Sequence, residues 1–109
     1  IETYRNEYEN FERKDILFIK NEYTGILDNV EKIDSIIDKF SIGWSVDRLS
    51  TVDKAILRIA VYEIMFDDDI PNKVSVNEAV ELAKEFSEDK APSFINGVLG
   101  KVVRYKEAN

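Results

Sequence analysis

The stretch Thr51–Phe66, TVDKAILRIAVYEIMF, is apolar around most of its circumference when wound as a helix. Val52, Ile56, Ile59, Ala60, Ile64 and Phe66 recur at helical spacing, and Ala55, Leu57, Val61, Tyr62 and Met65 fill the flanks. Such a helix has to be covered on most sides, which predicts a central element with others packed around it. Lys54 and Arg58 mark the narrow strip expected to reach water. Glu63 falls inside the apolar sector, four residues after Ile59. A carboxylate taken out of water is costly unless it is paired. Glu63 is therefore expected to make a structural ion pair or to bond a neighbouring helix terminus. A catalytic acid is the other possibility for it, but nothing in the sequence supplies a chemical partner.

The flanks of this segment carry their own signals. Ser50 is placed to cap the helix, with Asp53 three residues on in the manner of a capping box. Asp69-Ile70-Pro71-Asn72 ends it, because proline breaks the hydrogen-bond ladder and disfavours helical geometry in the residue before it. Ser75-Val76-Asn77-Glu78 fits the S-x-x-E capping box and predicts that the next helix starts there, with a stripe of Val76, Ala79, Val80, Ala83 and Phe86. Asn77 and Glu78 are expected to serve capping and interhelix hydrogen bonds. After a polar loop at Ser87–Lys90, Pro92 suits the first turn of a last helix that buries Phe94, Ile95, Val98, Leu99, Val102 and Val103. Gly97 and Gly100 lie inside that helix, where each costs about 1 kcal/mol against alanine. Their spacing points either to close approach of another backbone or to a functional cleft.

Upstream, Asp15–Leu27 is a helical pattern with Ile16, Ile19, Tyr23, Ile26 and Leu27 on one face. Asp28 or Asn29 offers an N-cap for Val30–Phe40, where Val30, Ile33, Ile36, Ile37 and Phe40 repeat. Ser41–Ser50, with Trp44, is a loop with at most one short turn. In Ile1–Arg13, Tyr4, Tyr8 and Phe11 form one stripe. No strand-like alternation and no repeat occur, so the expected architecture is an all-α bundle of five or six helices forming one domain over residues 1–109.

Composition narrows the function. The chain lacks both cysteine and histidine. That removes thiolate and imidazole metal sites and the most common general base, and a reducing cytoplasm fits. There is no nucleophile elbow and no Gly-rich phosphate loop, so no enzyme, catalytic residue, metal or cofactor is expected. No apolar run is long enough for a bilayer, so no membrane is expected as a partner. The net charge of −7 opposes a phosphate backbone at long range. Nucleic-acid binding would need a local basic patch or a basic partner. Asp67-Asp68-Asp69 reads as a solvated turn, since no EF-hand glycine or distal glutamate follows.

Four segments in order carry a resemblance: AILRIAVYEI (Ala55–Ile64), the DIP turn (Asp69–Pro71), KVSVNEAVELAKEF (Lys73–Phe86) and FINGVLG (Phe94–Gly100). Together they resemble the NusB family of transcription antitermination factors, and the likeness extends less strongly back to about Asp15. The resemblance implies two packed helical sub-bundles. It also implies binding of a single-stranded boxA-type RNA element of ribosomal transcripts together with ribosomal protein NusE, in a complex that makes RNA polymerase resistant to termination. In the family an arginine-rich first helix supplies much of the RNA contact. Nothing before Asp15 is similar to it, and the chain opens at Ile1, so the expectation is an N-terminally truncated form lacking that helix. Carried over by position, Lys90, Ser93 and Phe94 are implied to approach RNA, with Phe94 stacking a base or serving the core. Asp47 and Asp53 are implied to face NusE, and Asp53 is equally a cap. The family often has an acidic residue at the position of Lys90 and aspartate at that of Gly100. Two other expectations are an accessory RNA-binding domain of a ribosomal-RNA cytosine methyltransferase and a homodimer covering an open face.

Overall fold

The computed structural model describes residues 22–43 and 45–109. All regular structure among them is helical: α1, described over 22–28, α2 (Val30–Phe40), a 3-10 turn (Val46–Arg48), α3 (Thr51–Phe66), α4 (Asn72–Phe86) and α5 (Ala91–Ala108). The Tyr4–Tyr8–Phe11 stripe, the start of the Asp15–Leu27 pattern and Trp44 lie outside the described residues.

Helices α3, α4 and α5 pack on one another, and α2 packs on α3 and α5. Ile33 and Ile37 of α2, Leu57 and Ile64 of α3, and Ile95 and Leu99 of α5 are inaccessible to solvent. Each such side chain contributes roughly 1.5–3 kcal/mol of burial, so the core sits around α3, as its composition required. Ser50 Oγ accepts the Asp53 N–H at 3.1 Å, capping α3 as expected. The reciprocal half of the box is absent. The Asp53 carboxylate instead accepts the Ser87 hydroxyl at 2.6 Å, tying the start of α3 to the end of α4.

The strip of α3 that meets water differs from the expected one. Arg58 is not free: it makes a two-pronged pair with Asp34 of α2, Nε to Oδ1 at 2.8 Å and Nη2 to Oδ2 at 2.6 Å. The hydrogen bond to Asp34 is the main reason the guanidinium holds its proton more tightly than usual, against a smaller opposing effect of burial. The open strip lies beside that pair around the helix, where Val52, Ile59 and Phe66 are each more than one third exposed.

Helix α4 starts at Asn72, three residues before the expected box. Pro71 is its N-cap, and the Pro71 carbonyl accepts from both Val74 and Ser75 N–H. Ser75 therefore falls inside the helix, buried, and its hydroxyl has no partner among the described residues. Asn77 and Glu78 are exposed rather than capping. The packing edge of α4 is built from Ser75, Ala79 and Ala83. Phe86, the last residue of the helix, stays 62% exposed, outside the stripe expected to bury it.

Asn29 does not cap α2 with its side chain. Its Nδ2 donates to the Gly25 carbonyl at 2.8 Å, closing the end of α1. Of the expected α1 stripe within the described residues, only Ile26 packs on the core, while Tyr23 and Leu27 are exposed. The loop after α2 turns at Gly43, whose φ of +85° suits glycine. It is then drawn back by Asp38 Oδ1, which accepts the Val46 N–H at 2.6 Å.

The helix contact that requires glycine is at Gly25, where a Cβ would collide with the Tyr62 ring and hydroxyl. Neither Gly97 nor Gly100 has another backbone close by. Among the described residues nothing lies within 4 Å of a Cβ at Gly97, and at Gly100 only the Arg104 guanidinium does, at 3.7 Å. Glu63 also departs from expectation: it forms no ion pair among the described residues and faces Glu22 of α1. Burial, a hydrogen bond to Glu63 and the charges of Glu63 and Asp67 push the Glu22 carboxyl up to about 7. Asp67-Asp68-Asp69 is a turn, with the Asp69 N–H donating to Asp67 Oδ1 at 3.1 Å.

Candidate nucleic-acid interface

The Asp53–Ser87 hydrogen bond draws the loop after α4 against the start of α3, and a cleft of about 460 Å³ opens beside it. Its walls are Arg48 and Leu49 from the 3-10 turn, Ser50 and Asp53 from α3, and Glu88, Lys90, Ala91 and Phe94 from the α4–α5 loop and first turn of α5. Helices α3 and α5 both begin here, so the positive ends of two helix dipoles add to Arg48 and Lys90. Asp53 and Glu88 supply acceptors on the other side.

Each residue singled out from the sequence can now be placed. Lys90 is exposed and immediately precedes α5, and its carbonyl accepts the Phe94 N–H at 3.2 Å. Phe94 is half-buried: it packs on the core and also lines the cleft, so both roles considered for it coexist. Ser93 is exposed in the first turn of α5 and is not part of the cleft wall. Asp53 joins Lys90 and Phe94 in the cleft, held by Ser87. Asp47 lies apart, exposed in the 3-10 turn, where its charge helps hold the proton on Arg58.

Sequence reasoning missed Arg48, Leu49 and Glu88 as neighbours of that set. Arg48 and Glu88 stand forty residues apart, and the packing of α3 on α4 and α5, with the Asp53–Ser87 bond, brings their segments together. The one available signal was that both flank capping residues, Ser50 and Ser87.

A cleft of this make-up can hold a flat ring against Phe94 and an anion near Arg48 and Lys90. No group of three or more potential metal ligands occurs among the described residues. The sequence matches the NusB family over residues 1–104. The chain belongs to the NusB family. It is 50% identical over 95 residues to the transcription antitermination protein NusB of Clostridium novyi, covering 87% of this chain and 71% of that protein. With the Acetivibrio thermocellus protein of the same name it shares 54% identity over 89 residues, 82% of this chain and 61% of that one. The fold is similar to that of T. maritima NusB, with a TM-score of 0.83 at 35% identity over 88% of this chain and 68% of the other. The all-α NusB-like bundle read from the four segments is therefore the fold of this chain, and its relatives are transcription antitermination proteins rather than enzymes. No helix among the described residues is long and apolar enough to cross a membrane.

Proposed function

We propose that this chain is an RNA-binding subunit of a cytoplasmic transcription antitermination complex. It binds a single-stranded boxA-type element of ribosomal transcripts together with ribosomal protein NusE, and so helps RNA polymerase resist termination. The meeting of Lys90 and Phe94 with Arg48 in one cleft carries this reading. Single-stranded bases stack on aromatic rings, and cations beside them take the phosphates. Ser93 adds a hydroxyl on the adjoining turn of α5. The net charge of −7 favours a basic protein partner, and Asp47 and Asp53 are the residues assigned to it.

The test is RNA affinity over a salt series, with and without NusE. Tighter binding with NusE, weakening as salt rises, is expected, because displaced counterions must give a salt slope. Binding that ignores both NusE and salt would overturn the assignment. Phe94→Ala should weaken RNA binding while leaving NusE binding in place.

A further inference from the structure

Between Lys90 and Lys106 the chain carries four cations, Lys90, Lys101, Arg104 and Lys106, and no carboxylate. The remainder holds all 22 acidic residues against 11 of the 15 basic ones. Helix α5 itself carries Lys101, Arg104 and Lys106 against Glu107, so it is net positive in an acidic protein.

The positions of these cations matter more than their number. Phe94, Gly97, Lys101, Arg104 and Tyr105 follow one another at steps of three or four, or as neighbours, and so share one face of α5. The face starts in the cleft, because Phe94 lines it. At its middle, Gly97 is exposed with open space above it among the described residues, and of these Gly100 beside it meets only Arg104. At its far end the Tyr105 ring stands 5.4 Å from that of Phe40, and the exposed Lys39 of α2 places its ammonium 4.4 Å from the Tyr105 centroid. Asp68 pairs with Lys106 at 3.2 Å and Asp38 accepts the Val46 N–H, while Glu107 is exposed one turn beyond Arg104.

We propose that this face of α5 is a track for single-stranded RNA, continuing from the cleft to Lys39 and Tyr105. The bare backbone at Gly97 lets the strand lie close to the helix. Lys101, Arg104 and Lys39 take its phosphates, and Tyr105 stacks a base. From Phe94 to Tyr105 the helix rises about 16 Å, enough for a few nucleotides. The surrounding negative charge confines the strand to this strip. The inference rests on the RNA-binding reading given above and extends its site.

The test uses the full chain with NusE and a short fluorescein-labelled boxA-type RNA, followed by anisotropy across a salt series. The double variant Lys101→Gln/Arg104→Gln should bind more weakly, with a log–log salt slope shallower by about 1.4, since each single-strand phosphate contact contributes roughly 0.7. Gly97→Leu should lower affinity about tenfold or more by blocking the track, a loss within the range of one base stack. Its melting temperature should hold or rise, because the site is open and leucine favours helix. If the wild type binds RNA and both variants match it in affinity and slope, the track is wrong and the wider reading stands. If the wild type fails to bind RNA even with NusE at low salt, the wider reading fails and takes the track with it. If the variants lose NusE while keeping RNA, the face is a protein interface and the proposal is overturned.

Discussion

The two ends of α3 treat a carboxylate in opposite ways. At the N-terminal end Asp53 accepts the Ser87 hydroxyl at 2.6 Å while its own N–H is capped by Ser50, so the charge sits among donors near a positive helix end. At the C-terminal end Glu63 meets Glu22, with Asp67 close by, and one oxygen of Glu22 is buried without a partner among the described residues. In the middle, Asp34 and Arg58 satisfy each other. The same chemical group therefore ties α3 to α4, clamps α3 to α2, or faces another carboxyl on α1, according to what the neighbouring helix presents.

The largest expected effect breaks the α1 end of this contrast. Gly25→Ala forces a methyl into the Tyr62 ring, and overpacking of this kind costs roughly 1–3 kcal/mol. Urea unfolding should show the loss, and an unchanged midpoint would mean that α1 does not rest on Tyr62. Next, Asp53→Ala removes both the tie to Ser87 and a charge near the α3 dipole, for about 1–2 kcal/mol. Ser87→Ala should reproduce part of that loss, which a double-mutant cycle would expose as coupling.

A smaller change of opposite sign is expected at Gly97→Ala. It should stabilise by about 0.5–1 kcal/mol, because the site is open and helical. A destabilised variant would show that something packs there after all. The smallest effect concerns Glu22→Gln, since this carboxyl is partly open to solvent and screened. Its folded pKa lies above the unfolded value, at about 7 against 4.5. Its contribution is therefore full below about 4.5 and is lost as pH rises through about 7. Thermal melts should coincide for wild type and variant near pH 4, with the variant melting higher at pH 8. Parallel melts at both values would remove the carboxyl pair from the account.

How much of this was legible varied by element. The extent of α3, its Ser50 cap, the short turn before it and the buried faces of α2 and α5 followed from spacing and local hydrogen bonding, which act within four residues. The start of α4 was misplaced at Ser75 because two local signals competed. The pre-set φ of Pro71 nucleated the helix three residues ahead of the S-x-x-E pattern. At the candidate site, Lys90, Phe94 and Asp53 were named from the sequence, but that they share one cleft was not. Their meeting depends on Ser87, which stands thirty-four residues after Asp53.

The sequence by itself determined an all-helical chain, a central α3, its caps and breaks, and a family resemblance carried by four ordered segments. Tertiary structure alone decided which side of α3 meets water, that Glu63 faces another carboxyl, and that Gly25 rather than Gly97 bears the close contact. The physical reason is range. Capping, propensity and periodicity act over one or two turns of helix. Pairing of charges and access to solvent depend on which helix is laid alongside, and that is settled only when distant segments pack together.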